Sequence, residues 1–490
     1  MIGILGYGSY VPRLRLSRQA VAQANAWFAP GLQNKAKGVR AMANWDEDSI
    51  TMAVAAARDC LGPSDDRNHV RSLWLASTTL PFADRLNAAV AAEALTLDSG
   101  IDARDLGGSL RAGLGALQDA LHQVDSRKGC ALVLAADNRH TRAASSAELD
   151  YGDGAAALLV GRGEVVAELL GSATDTLDFV DHFRSAGQEI DYHWEERWVR
   201  EEGVGKIVPG VIQAALESAG VKAEQVDHFI FPSVMAKLDQ SVAKTLGMRA
   251  EAVVNNLAAT VGDTGTAHAL LMLTAVLETA TPGQIIVVSQ FASGAQALVL
   301  RTTEHIARFR PRLGVSGWLA RGVEESNYTK FLSFNNQLRL ERGMRGEQDK
   351  KTALTTLYRH KSAILGLVGG RCRETGRVHF PPSRLSHDPA GALLDSQVPY
   401  KLAERRAQIL SWSAEYLSYH PAPPNYYGQV DFEGGGRILM EFTDLDKGDV
   451  DSGTTMEMVF RIKDIDERRG FVRYFWKATP VRNQAKSADN

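Results

Sequence analysis

The feature that most constrains this chain is an internal repeat. MAVAAARDCLGPSDDRNHVRSLWLAS (52–77) is similar to GVIQAALESAGVKAEQVDHFIFPS (210–233), each a helix pattern, a turn and a strand pattern ending in Ser. AVAAEALTL (89–97) pairs with SVAKTLGM (241–248), GCALVLAAD (129–137) with GQIIVVSQF (283–291), and GAAALLV (154–160) with GAQALVL (294–300). The order matches and the offsets are nearly constant, 156 from Ser77 to Ser233 and 154 from Gly129 to Gly283. A duplicated unit of about 150 residues follows, and any fold for residues 1–300 must contain it twice.

Within each unit short apolar runs alternate with Ala-rich helical patterns, which argues for layered α/β structure with buried strands. Expected strands are 2–6, 72–76, 131–135, 155–160, 228–231, 285–288 and 297–300. Expected helices are 50–61, 88–96, 112–124, 210–219 and 267–278. From Arg301 to about Glu325 the pattern is lost and a linker is expected. Tyr328–Leu367 reads as helical. Beyond it, runs at 409–419, 428–432, 438–443, 456–462 and 471–477, separated by Pro/Gly turns, read as a small all-β barrel.

Composition excludes several classes. With 44% hydrophobic and 23% charged residues over 490, disorder and fibrous folds are not expected. Cys60, Cys130 and Cys372 are too few and too scattered for a disulfide framework or a four-cysteine zinc site. No secretory signal pattern and no long apolar run is present, so a cytoplasmic protein without a membrane partner is expected. Residues 1–300 carry 25 Lys/Arg against 35 Asp/Glu, and residues 301–490 carry 30 against 23. The basic tail is not one run: RIKDIDERRG alternates in sign, so a nucleic-acid partner is not expected.

Several stretches resemble the 3-hydroxy-3-methylglutaryl-CoA synthase and ketoacyl synthase III branch of the thiolase superfamily. They are GYGSYVPRLRL (6–16), WDEDSITMAVAAARDCL (45–61), LPFADRLNAAVAAEAL (80–95), DLGGSLRAG (105–113), YGDGAAALLVG (151–161) and VGDTGTAHALLMLTAVL (261–277). The tail, with GGRCRETGRVHFPPSRL (369–385) and YGQVDFEGGGRILMEFTD (427–444), looks like the zinc-ribbon/OB-fold proteins that accompany thiolases. The resemblance implies thiolase-like halves at 1–165 and 166–302, a linker and helical segment at 303–368, a degenerate ribbon with an OB-like barrel at 369–480, and a tail at 481–490. It also implies a homodimer, with a thiolase as a further candidate partner.

The family's nucleophilic Cys would sit at a helix N-terminus, where the dipole favours thiolate. That position is Leu110; Ser109 beside it is a substitute nucleophile only if the helix is rotated by about 100°. The family His would fall near Pro232 and Ser233, and the family Glu near Thr78 or Thr79. The family Asn position is Asp263. Without a thiol, aldol or retro-aldol chemistry on a 3-hydroxyacyl-CoA needs only a base and a stabilised enolate. Asp263 is the candidate base, with His268 to assist or orient it; a helix cap and a packed histidine are the bland readings of the two. Tyr192 and His193, with Leu110 and Thr79, are candidate substrate contacts, and Arg308 and Arg310 candidate contacts to CoA phosphates. A non-catalytic scaffold and a Claisen-type enzyme with another nucleophile stay open beside the aldolase reading. Coenzyme A is expected as part of the substrate, not as a bound cofactor. Zinc is not expected, because Cys372 is followed by Thr375 and Ser386 where ligands would stand, and His379 and His387 do not restore a recognised spacing.

Overall fold

In the computed structural model, which describes residues 1–124, 129–347, 350–387 and 391–482, the repeat is built into one nine-stranded sheet. From the centre outward the first half runs Ile2–Tyr10, Gly154–Arg162, Cys130–Asp137, Val70–Ala76 and Asp102–Leu106. The second half runs Ala167–Thr176, Gly294–Thr302, Ile285–Phe291 and His228–Ile230. Asp102–Leu106 aside, each half reads first, fourth, third, second strand. In each of these sets the second and third are parallel and the other neighbours antiparallel, and Asp102–Leu106 adds an outer strand parallel to Val70–Ala76.

The duplication extends to packing. Ile2–Tyr10 approaches the helix Ser49–Leu61 through Gly8, where a Cβ would stand 2.7 Å from the Ala56 carbonyl. The corresponding strand of the second half approaches Gly205–Ala219 through Gly171, 2.9 Å from the Ala215 carbonyl. Only glycine permits such contact between strand and helix. Helix Ser49–Leu61 starts at a capping box: the Asp48 carboxylate accepts from Thr51 N–H at 2.9 Å, and Thr51 Oγ1 accepts from Asp48 N–H at 2.8 Å.

All the expected strands and helices of the first 300 residues form, with longer bounds for several; Asp102–Leu106 and Ala167–Thr176 are additional strands. Two expectations for the middle of the chain are corrected. The linker is ordered: Gly314–Ala320 is a helix, Val323–Glu325 pairs in parallel with Leu14–Leu16, and Trp318 packs edge-on against Tyr10. The continuous helical segment over 328–367 is broken into Tyr328–Phe334, Leu354–Arg359 and Lys361–Ile364. Asn335 and His360 end two of these with non-helical backbone, and Gly343 with φ +62° interrupts the rest.

The tail forms a five-stranded antiparallel sheet in the order Arg437–Glu441, Asn425–Phe432, Ala407–Glu415, Thr455–Asp466, Phe471–Pro480. Its two ends meet in a parallel bridge between Phe442 and Ala478. Three shorter strands, Val368–Cys372, Val378–His379 and Gln397–Lys401, form the segment ahead of it. Cys372 is buried there with its Sγ 3.2 Å from Ser396 Oγ, which donates to Ser386 Oγ at 2.9 Å. Among the described residues no group of three or more His, Cys, Asp or Glu is placed to hold a metal. Residues 388–390 of the segment expected as a ribbon, and the tail from 483, lie outside the described residues.

Body and tail share one apolar core, in which Ile50, Val54, Leu73 and Leu95 join Leu365, Ile409, Val430, Phe460 and Trp476. Two ionic clips cross the same boundary. Glu404 of the tail takes Arg58 at 2.9 Å, Arg67 at 2.7 Å and Arg312 at 2.6 Å. Burial would raise this carboxyl, but the three guanidiniums hold it well below the usual carboxylate range. In the other clip, Arg461 meets Glu47 at 3.0 Å and Asp444 at 2.7 Å, while Lys477 meets Asp46 at 3.0 Å and Glu441 at 3.3 Å.

Candidate active site

The sheet carries its chemistry at the strand ends where the two halves meet. Val70–Ala76 leads into Ser77, Thr78 and Thr79, and Cys130–Asp137 leads into Asn138 and Arg139. Asp137 is fully buried and its carboxylate is saturated. It accepts from Ser77 Oγ at 2.9 Å, Thr78 N–H at 2.7 Å, Thr78 Oγ1 and Thr79 Oγ1 at 3.1 Å, and Thr266 N–H at 2.7 Å. Five donors on a buried carboxylate hold it rigid. They also tie the loops of the first half to the helix start of the second. Thr79 thus lies in the site through Asp137 and through Ser49, whose hydroxyl is 2.7 Å from its own.

Helix Ala112–Gln123 begins against the same turn, since a Cβ on Gly113 would collide with the Thr266 carbonyl. Leu110 therefore precedes a helix start that faces the turn 263–267. Ser109 is beside it, half-buried, with its Oγ accepting from Arg111 N–H at 3.4 Å. Ser233 stands beyond the strand His228–Ile230, where its Oγ accepts from Met235 N–H at 3.0 Å in a local turn.

Asp263 occupies that turn. One carboxylate oxygen accepts from Gly265 N–H at 2.8 Å, and the other is 3.4 Å from Arg139 Nη1. Its side chain keeps 21% of its exposure, against 2% for Arg139. His268 has no nitrogen free: Nδ1 accepts from Thr264 N–H at 3.2 Å, and Nε2 donates to the Asn256 carbonyl at 2.9 Å. Burial holds this imidazole below its usual value, so it is neutral and braces the turn that presents Asp263.

Arg139 organises a second group of residues. Its Nη2 donates to Tyr151 Oη and, at 2.7 Å, to Asp191 Oδ2; Asp191 also takes Arg184 at 3.0 Å. Tyr151 Oη is 2.7 Å from His193 Nε2 and 3.1 Å from Asp191 Oδ2. Burial would raise Asp191, but Arg139 outweighs it and the carboxyl lies below its ordinary value; burial pushes the Tyr151 phenol up. The short strand Tyr192–His193 pairs with His182–Phe183 on the outside of the site, with Tyr192 exposed against Phe183 and His193 turned toward Tyr151. Arg308 is exposed, and Arg310 donates to the Ile306 and Phe309 carbonyls at 3.1 and 2.7 Å.

Sequence reasoning missed Asp137, Arg139, Tyr151, Arg184 and Asp191. A signal existed for the first two: ALVLAADNR ends an apolar buried strand on charged residues, which is costly unless they are paired. Asn138 Oδ1, Thr266 Oγ1, Ser289 Oγ and Gln290 Oε1 are buried and lack partners within the protein.

A duplicated α/β sheet whose paired helix starts face each other across the strand ends defines the thiolase-type fold. A structure of MvaS in complex with 3-hydroxy-3-methylglutaryl coenzyme A has that fold too, with a TM-score of 0.59 at 19% identity over 69% of this chain and 92% of that one. The model of the 3-oxoacyl-[acyl-carrier-protein] synthase III C terminal matches residues 216–302. The hydroxymethylglutaryl-CoA synthase of Pyrococcus furiosus is 30% identical over 299 residues, 60% of this chain and 84% of that protein. That of Methanocaldococcus jannaschii is 27% identical over 69% of this chain and 100% of its own length. The chain belongs to the hydroxymethylglutaryl-CoA synthase family. No helix among the described residues is long and apolar enough to cross a membrane.

Proposed function

We propose that this chain handles acyl-CoA thioesters and makes or breaks the C2–C3 bond of a 3-hydroxyacyl-CoA by aldol-type chemistry, with no acyl-enzyme. The observation that carries this reading is the pairing of Leu110 with Asp263 at the facing helix starts: no thiol at one, and at the other a partly exposed carboxylate beside Arg139. Asp263 takes the 3-hydroxyl proton, and the unpartnered groups of Thr266 and Gln290 are available to the thioester end. Arg308 and Arg310 are the cations offered to CoA phosphates. The strand order of the tail, with its parallel closing bridge, supports an OB-like barrel following a ribbon whose metal has been replaced by hydrogen-bonded hydroxyls around Cys372. Asp102–Leu106 pairs on one side only among the described strands, and we place the homodimer contact there; a thiolase is the further partner, in the cytoplasm.

The test is incubation of the purified protein with a panel of 3-hydroxyacyl-CoAs. Release of an aldehyde or ketone with a shorter acyl-CoA, abolished by Asp263→Asn, supports the reading. A second reading, a non-catalytic scaffold, is favoured by the engagement of both Asp263 oxygens. It wins if cleavage needs an added thiolase and survives that substitution. A radiolabelled acyl group trapped on Ser109 would instead establish a Claisen-type enzyme.

A further inference from the structure

Retro-aldol cleavage moves two protons. One leaves the 3-hydroxyl as its O–H pair becomes the C3 carbonyl; the C2–C3 pair becomes a thioester enolate, and C2 then takes a proton. Asp263 accounts for the first. The second needs a donor near the same residues but in exchange with solvent. We propose that Tyr151 and His193 are that donor: the Tyr151 hydroxyl gives its proton to C2, the Nε2 proton of neutral His193 replaces it as water supplies one to Nδ1, and exchange with water then returns the ring to its Nε2–H form. Asp263 returns the hydroxyl proton to water, so the cycle balances. The inference rests on the aldol reading.

The geometry supplies the links within the protein. Tyr151 Oη and His193 Nε2 are 2.7 Å apart. Tyr151 is 3% exposed, whereas His193 lies on the exposed strand pair outside it. One guanidinium, Arg139, holds both Tyr151 and Asp263, so the acid and the base share a single anchor. The Tyr151 hydroxyl rests as a donor to Asp191 Oδ2 at 3.1 Å, which fixes the phenol from the other side and leaves His193 Nε2 as the donor to Tyr151 Oη. His193 is faced by Arg139 and Tyr151 from the body, by His182 stacked at 5.8 Å, and by Asp181 and Asp191 of its own segment. Burial and the Arg139 charge hold the imidazole below its usual value. A neutral ring donates at one nitrogen and accepts at the other, which is what a relay needs.

The experiment compares His193→Ala, His193→Gln and Tyr151→Phe in the cleavage assay, with and without added imidazole. His193→Ala should lower kcat by about 100- to 1,000-fold with little change in KM. Imidazole should restore part of that loss but none of the comparable loss in Tyr151→Phe. If His193→Ala keeps the wild-type kcat, the relay is refuted while the aldol reading stands. If His193→Gln, which keeps a hydrogen bond to Tyr151, is as active as wild type, His193 only positions and the relay is refuted. If the wild type cleaves no substrate in the panel, the aldol reading fails and the relay with it.

Discussion

Glu47 lies at the boundary between body and tail, fully enclosed, with Tyr10 donating to it and Arg461 at 3.0 Å. Burial raises its carboxyl from 4.5 to about 7, outweighing the attraction of Arg461, with Asp444 and Asp46 adding to the rise. The folded chain therefore binds this proton more tightly than the unfolded chain does. The stability that comes with it is complete below the unfolded value and is lost as pH climbs through about 7. A carboxyl whose proton is held about 2.5 pH units tighter in the fold contributes about 3 kcal/mol. Glu47→Gln removes that titration and leaves a group of similar shape. Denaturant unfolding of wild type and variant, followed by circular dichroism from about pH 4.5 to about pH 8, measures the difference in stability at each pH. That difference should move by about 3 kcal/mol against the wild type as pH rises. A difference constant to within about 0.5 kcal/mol would refute the reasoning, because it would mean that Glu47 titrates alike in the folded and unfolded chain.

Glu404 behaves with the opposite sign. Its depressed carboxyl stabilises the fold above the unfolded value and loses that contribution as pH falls. Glu404→Gln should therefore cost about 3–5 kcal/mol near neutrality and less in acid, read as a drop in denaturation midpoint. Thr79→Val removes one donor to buried Asp137 and should cost about 1–3 kcal/mol in the same measurement. Leu110→Cys should create a thiol that iodoacetamide modifies faster than Cys60, whose thiol is pushed up by burial; equal rates would place residue 110 away from the helix start. Elemental analysis should find no stoichiometric zinc, consistent with hydroxyl partners around Cys372.

Most of the body was legible because its signals are local and repeated. An apolar run such as IIVVS or ALVLAA is read from the side chains alone, and the duplication fixes its place in the sheet. Asp263 and His193 could be singled out from their stretches. What could not be read is the group that joins them. Arg139, Tyr151 and Asp191 lie on a strand end, a loop and an insertion, and their meeting depends on long-range packing that no local pattern encodes. The expected helix over 328–367 failed for a related reason. Its composition suits a helix, yet Lys361 pairs with Glu93, and Leu365 and Leu367 join the shared core; tertiary contacts outweighed propensity.

The shared core also bears on how body and tail tolerate change. Trp476 donates to the Leu365 carbonyl at 2.6 Å, Tyr474 to Asp48 at 2.5 Å, and Arg58 to the Met458 carbonyl at 2.5 Å. A tail taken from another protein would have to supply Glu404, Arg461, Lys477 and the matching apolar face together, since any one missing leaves a buried charge alone or a cavity. The five-stranded tail is thus not an exchangeable part: substitutions on either side of the boundary are accepted only in step with the other.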